Sequence, residues 1–86
     1  MHEMSVAMEV CRIAEDQVGL AALERVREIG LLVGNDSGVE PESLRFCLET
    51  LLASAPFRGA RAALELMPGD DLRVSYLEID DDGPTN

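Results

Sequence analysis

The sequence predicts a small α+β domain, with two helices packed on one face of a three-stranded sheet in the order helix, strand, helix, strand, strand. Three observations lead there. Eighty-six residues give room for one core and little more. Apolar residues recur at helical spacing over 4–18 and 41–54 and alternate at strand spacing over 25–33, 60–67 and 71–79. Clusters of Gly, Pro, Asn and Asp separate most of these runs. Residues 1–79 read as a single domain, and 80–86 as a disordered acidic tail.

In the first helix, Val6, Val10, Ile13 and Gln17 form one stripe, with Ala7, Cys11, Ala14 and Val18 beside it. Ser5, Glu9, Arg12 and Asp16 fall on the opposite face. Gly19 is a natural stop. Met4 and Met8 lie at helical spacing beside apolar residues, which fits packing better than a thioether copper site. In the first strand Ile29, Leu31 and Val33 alternate toward one face, with Arg25, Arg27 and Glu28 near its exposed start. Gly34-Asn35-Asp36-Ser37-Gly38 is a loop.

Pro41 suits the first position of the second helix and makes Glu40 its N-cap. Glutamate is not a favoured cap, which leaves Glu40 available for another task. Leu44, Leu48, Leu51 and Ala55 form the buried stripe, with Cys47 and Leu52 alongside, and Arg45 and Glu49 read as an exposed pair. Ala55-Pro56-Phe57-Arg58-Gly59 ends the helix. Ala60, Ala62, Leu64 and Leu66 face one way in the second strand. Met67-Pro68-Gly69-Asp70 has the Pro-Gly order of a type II turn, so a hairpin into the third strand is the economical expectation. In that strand Leu72 and Val74 share one parity, and Leu77 and Ile79 the other, which predicts a bulge near Ser75-Tyr76.

The formal net charge of −10 argues against DNA, RNA or an anionic membrane as partner, since these are bound through clustered Lys and Arg. No basic region followed by an apolar run marks a signal peptide, and no stretch is long enough to span a bilayer. Cys11 and Cys47 are far apart, without a C-x-x-C pair. Both read as small buried hydrophobes in a reduced, cytoplasmic protein. An Asp run at 80–82 lacks the ligand spacing of a calcium loop and reads as solvated. Neither a nucleophile–base pair nor a Gly-rich phosphate loop is present, so no enzyme is expected.

One stretch concentrates metal-binding chemistry. The α-amine of Met1, the imidazole of His2 and the backbone nitrogens of His2 and Glu3 can close chelate rings around one ion. Such a flat nitrogen set suits Ni(II) or Cu(II) better than tetrahedral Zn(II). A large second residue disfavours removal of the initiator Met. The first backbone N–H groups of a helix have no intrahelical acceptor, so these amides can lose their protons without breaking the ladder. The competing reading is a solvated, frayed chain end.

Met1-His2-Glu3-Met4-Ser5 leads into the first helix, and the first strand ends Leu31-Leu32-Val33-Gly34. Val39-Glu40-Pro41-Glu42-Ser43-Leu44-Arg45-Phe46 opens the second helix, and Gly69-Asp70-Asp71-Leu72-Arg73-Val74 enters the third strand. In this order the segments resemble the HypA/HybF family of nickel metallochaperones for [NiFe]-hydrogenase maturation. The resemblance implies Ni(II) held by the N-terminal amine, His2 and the backbone nitrogens of His2 and Glu3. Glu40 takes the place of an acidic residue found near the metal in some members. It also implies delivery to a HypB-like GTPase. The family carries a zinc domain with two C-x-x-C pairs between what are here the second and third strands. This chain runs straight through Met67-Pro68-Gly69-Asp70, so no structural zinc is expected. The expected function is nickel delivery, with Met1, His2, Glu3 and Glu40 as the metal site. The alternative is a zinc-less interaction module that keeps the family's partner surface without delivering nickel.

Overall fold

A computed structural model of the chain describes residues 2–80. Met1 and the stretch 81–86 of the expected tail lie outside the described residues. The elements are helix α1 (Glu3–Val18), a 3₁₀ segment (Leu20–Arg25), strand β1 (Val26–Gly34), helix α2 (Pro41–Leu52), strand β2 (Arg61–Met67) and strand β3 (Leu72–Ile79). The expected order holds, and both helices cover one face of the sheet. The 3₁₀ segment is an addition: Leu20-Ala21-Ala22-Leu23 is too short to show helical periodicity, yet it drives Leu23 into the core at 1 % exposure.

The sheet order is β2-β1-β3, with β2 parallel and β3 antiparallel to β1. The expected hairpin between β2 and β3 is therefore wrong. β1–α2–β2 is a parallel crossover unit, and the chain then steps across the end of β1 to lay β3 on its other side. Met67–Asp71 makes this step under clear restraint. Asn35 N–H donates to Met67 O at 2.7 Å, Asp36 N–H to Gly69 O at 2.8 Å and Gly34 N–H to Asp71 O at 2.6 Å. A Cβ on Gly34 would overlap the Gly69 carbonyl and lie 2.8 Å from Asp71 N. Gly34 thus marks the close crossing of two backbones, and Gly69, at φ 99°, makes the reversal. The turn signal was real, but it reports that the chain reverses and not which strand it joins.

β1, the central strand, sends Ile29, Leu31 and Val33 into the core, with Ala62 and Leu64 of β2 in register beside Ile29 and Leu31. On β3 the pairing jumps from Gly30–Tyr76 to Leu31–Val74, leaving Ser75 as the extra residue of the expected bulge. The slip returns Leu72, Val74, Leu77 and Ile79 to the core side. From α1 the fully buried residues are Ala7, Val10 and Ala14; Gln17, placed on the stripe from sequence, is exposed. From α2 they are Leu44, Leu48 and Leu52, with Leu51 only partly buried.

Arg45 and Glu49 are not simply an exposed pair. Arg45 Nη1 donates to Ala62 O at 3.1 Å, and Glu49 Oε2 accepts from Ala62 N–H at 3.3 Å. The two side chains satisfy the outward backbone N–H and C=O of Ala62 on edge strand β2. On the open face of the sheet the Tyr76 ring lies against Gly30, where any Cβ would overlap it. The Tyr76 hydroxyl donates to Glu28, which raises the phenol's pKa above its ordinary value, and Arg61 donates to the same carboxylate at 3.2 Å.

Candidate metal centre

His2 is the N-cap of α1, in extended conformation, and its side chain caps nothing. The first helical hydrogen bond runs from Val6 N–H to His2 O at 3.1 Å. The amides of His2 and Glu3 thus precede the ladder, as the sequence led one to expect. The exposed imidazole takes part in no hydrogen bond among the described residues. It borders a largely apolar groove of about 520 Å³ between α1 and β3, lined by Val6, Val10, Ile13, Leu31, Leu72 and Val74.

Glu3 and Glu40 come together, though not as a facing pair of free carboxylates. Glu3 Oε2 accepts from the backbone N–H of Glu40 at 2.8 Å, joining the start of α1 to the start of α2. This bond, followed by one from its own backbone N–H, holds the Glu3 carboxyl below its ordinary range. Glu40 does cap α2: its Oε1 accepts from Ser43 N–H at 2.8 Å, and Pro41 follows at the first helical position. The expectation that a poor cap would be left free is corrected. Its longer side chain still reaches the third amide of the helix, and a carboxylate there also meets the positive end of the helix dipole. Glu40 Oε2 keeps no partner among the described residues.

Two helix N-termini therefore converge near His2, with Glu3 in the first turn of α1 and Glu40 and Glu42 at the start of α2. Among the described residues no three His, Cys, Asp or Glu side chains gather into a group that can hold a metal. Sequence reasoning missed Ser43 and the Glu3–Glu40 bond, which spans 37 positions and has no local signal. Cys11 and Cys47 are free and partly buried, and burial raises the pKa of the Cys11 thiol.

A family model described as "Hydrogenase/urease nickel incorporation, metallochaperone, hypA" matches residues 1–79. The chain belongs to the HypA family. Among curated relatives, the hydrogenase maturation factor HypA of Geobacter sp. (strain M21) is 45% identical over 69 residues, covering 80% of this chain and 60% of the relative. That of Azotobacter chroococcum mcd 1 is 39% identical over 69 residues, again 80% of this chain and 61% of the relative. That of Methanopyrus kandleri is 39% identical over the same length and covers 49% of the relative. The chain's matched part spans about half to three fifths of the length of these HypA proteins. Among the described residues no helix is long and apolar enough to cross a membrane.

Proposed function

We propose that this HypA-family chain carries Ni(II) as cargo, bound by the Met1 amine, the His2 imidazole and the backbone nitrogens of His2 and Glu3, and passes it on for hydrogenase maturation. The observation that carries this reading is the position of the His2 and Glu3 amides ahead of the first α1 hydrogen bond, next to an imidazole that no other group engages among the described residues. Deprotonating these amides leaves the helix intact. A dication at the meeting point of two helix N-termini faces the positive ends of both dipoles. Two anionic amide nitrogens and the Glu3 and Glu40 carboxylates offset that repulsion. Glu40, with one oxygen committed to Ser43, fits a supporting role through its other oxygen. By the family resemblance the recipient is a HypB-like GTPase. The exposure of His2 suits handing the ion over.

The groove beside His2 supports a second reading, in which this end of the molecule serves as a partner surface without carrying metal. Calorimetry with Ni(II) separates the two, comparing the native chain with one whose Met1 amine is blocked by an added residue, and with His2→Ala. Both changes should abolish tight binding. If blocking the amine leaves the affinity unchanged, the ligand set is wrong. If His2→Ala supports hydrogenase maturation as well as the native chain, the second reading stands.

A further inference from the structure

At the opposite end of the sheet from His2, four of the chain's seven basic residues meet in one place. Arg25 and Arg27 flank the start of β1, and Arg58 and Arg61 lead into β2. Together they line a cleft of about 460 Å³ whose acidic members are Glu24 and Asp80. We propose that this cleft docks an acidic segment of a partner protein, one that presents two or more Asp or Glu side chains.

The arginines are held loosely. Arg25 Nε donates to the Asp80 carbonyl at 3.2 Å, Arg27 Nη1 to the Asp80 carboxylate at 3.2 Å, and Arg61 Nη2 to Glu28 at 3.2 Å. Arg58 stands 4.0 Å from Glu24, too far for a hydrogen bond. Each guanidinium has five N–H donors in a planar fork, so most of the donors remain unused among the described residues. Side-chain exposures of 61% for Arg27, 74% for Arg58 and 78% for Arg61 leave the forks open to solvent. A planar fork with two parallel donors matches a carboxylate, and several together select a run of them.

The rest of the chain carries only three Arg and most of its seventeen acidic residues. An anion is repelled by most of the surface and tolerated here. A long polyanion such as nucleic acid would overlap that acidic surface, whereas a short acidic segment fits within the cleft. β1 runs nine residues between this cleft and the metal end, about 26 Å at strand rise. A partner held at the arginines thus leaves His2 uncovered, and the inference stands or falls independently of the nickel reading.

The test is fluorescence anisotropy of a labelled hexaglutamate peptide titrated with the full chain at low salt. Binding should weaken as salt rises, and by about tenfold in Arg58→Ala/Arg61→Ala, the loss of two exposed bidentate pairs. Arg12→Ala, whose guanidinium lies on α1 with Glu9 and Asp16, should leave it unchanged. Arg58→Ala alone guards against misfolding, because Arg58 makes no hydrogen bond among the described residues; it should weaken binding about threefold. Absence of hexaglutamate binding overturns the inference, as does equal loss in Arg12→Ala. Tighter binding of inorganic tripolyphosphate through the same arginines would mark a phosphate site instead and would also overturn it.

Discussion

The Glu3 carboxylate accepts a 2.8 Å hydrogen bond from the Glu40 backbone N–H and so fastens the first turn of α1 to the entry of α2. One side chain thereby sets where the His2 and Glu3 amides sit relative to the second helix. The bond also makes the fold sensitive to acid.

The sign of that sensitivity follows from the direction of the shift. Glu3 titrates lower in the folded protein than its ordinary 4.5, chiefly through the Glu40 N–H. A carboxyl depressed in this way stabilises the fold above its unfolded value, and the contribution disappears as pH falls from about 4.5 through the lowered folded value. Glu3→Gln should therefore melt below the native chain at neutral pH, and the gap should close on acidification. Thermal melts by circular dichroism across this range check it; a gap that stays constant in acid would assign the difference to packing.

Glu40 can be divided into its two roles. Glu40→Ala removes the cap on Ser43 N–H and should cost about 1 kcal/mol of stability. Glu40→Ser restores a favoured cap but not a carboxylate beside the proposed metal site. If the carboxylate supports the bound ion, both variants should bind Ni(II) more weakly, and only the alanine should be less stable. Parallel denaturant titration and calorimetry read the two effects. Equal nickel affinity in native chain and Glu40→Ser would remove Glu40 from the site.

Gly30 and Gly34 make a second contrast. A methyl group on Gly30 meets the Tyr76 ring, a side chain on the open face that can swing aside at the loss of its bond to Glu28. On Gly34 it meets the backbone of Gly69 and Asp71, which is pinned by three hydrogen bonds. Gly30→Ala should cost about 1 kcal/mol and Gly34→Ala about 2–3 kcal/mol. At this chain length the second is a fall in melting temperature of roughly 10 °C or more. The reverse order would mean that the loop yields more readily than the ring.

Nickel binding by amide nitrogens must release protons. The calorimetric heat should then change with the ionisation enthalpy of the buffer, and affinity should fall steadily on acidification. Copper(II) should displace nickel, as the order of divalent affinities requires. A buffer-independent heat would point to ligands that bind without losing protons.

Much of the fold was legible because periodicity encodes burial. The Ile29-Leu31-Val33 alternation, the Leu44-Leu48 spacing and the parity slip at Ser75 each report a local geometry, and each recurs in the structure. What was missed depends on partners distant in sequence. Pro68-Gly69 announces a reversal but is silent on whether β3 pairs with β2 or crosses beyond β1. Arg45 and Glu49, four apart on a helix, look like partners until Ala62 is placed between them. At the candidate site, the exposed His2 and the helix start were readable from the chain order alone. The Glu3–Glu40 bond and the cap on Ser43 were not, because ordinary rules for helix ends rank glutamate low at that position.

The grip of Arg45 and Glu49 on Ala62 reaches beyond the single fold. A foreign strand arriving along that margin would have to evict both side chains before it could pair at Ala62, near the start of β2, and along the opposite margin it would meet the bulge at Ser75. Sheet-to-sheet polymerisation is thus discouraged from either side. That protects a protein whose sheet is clothed by helices on one face and left bare on the other.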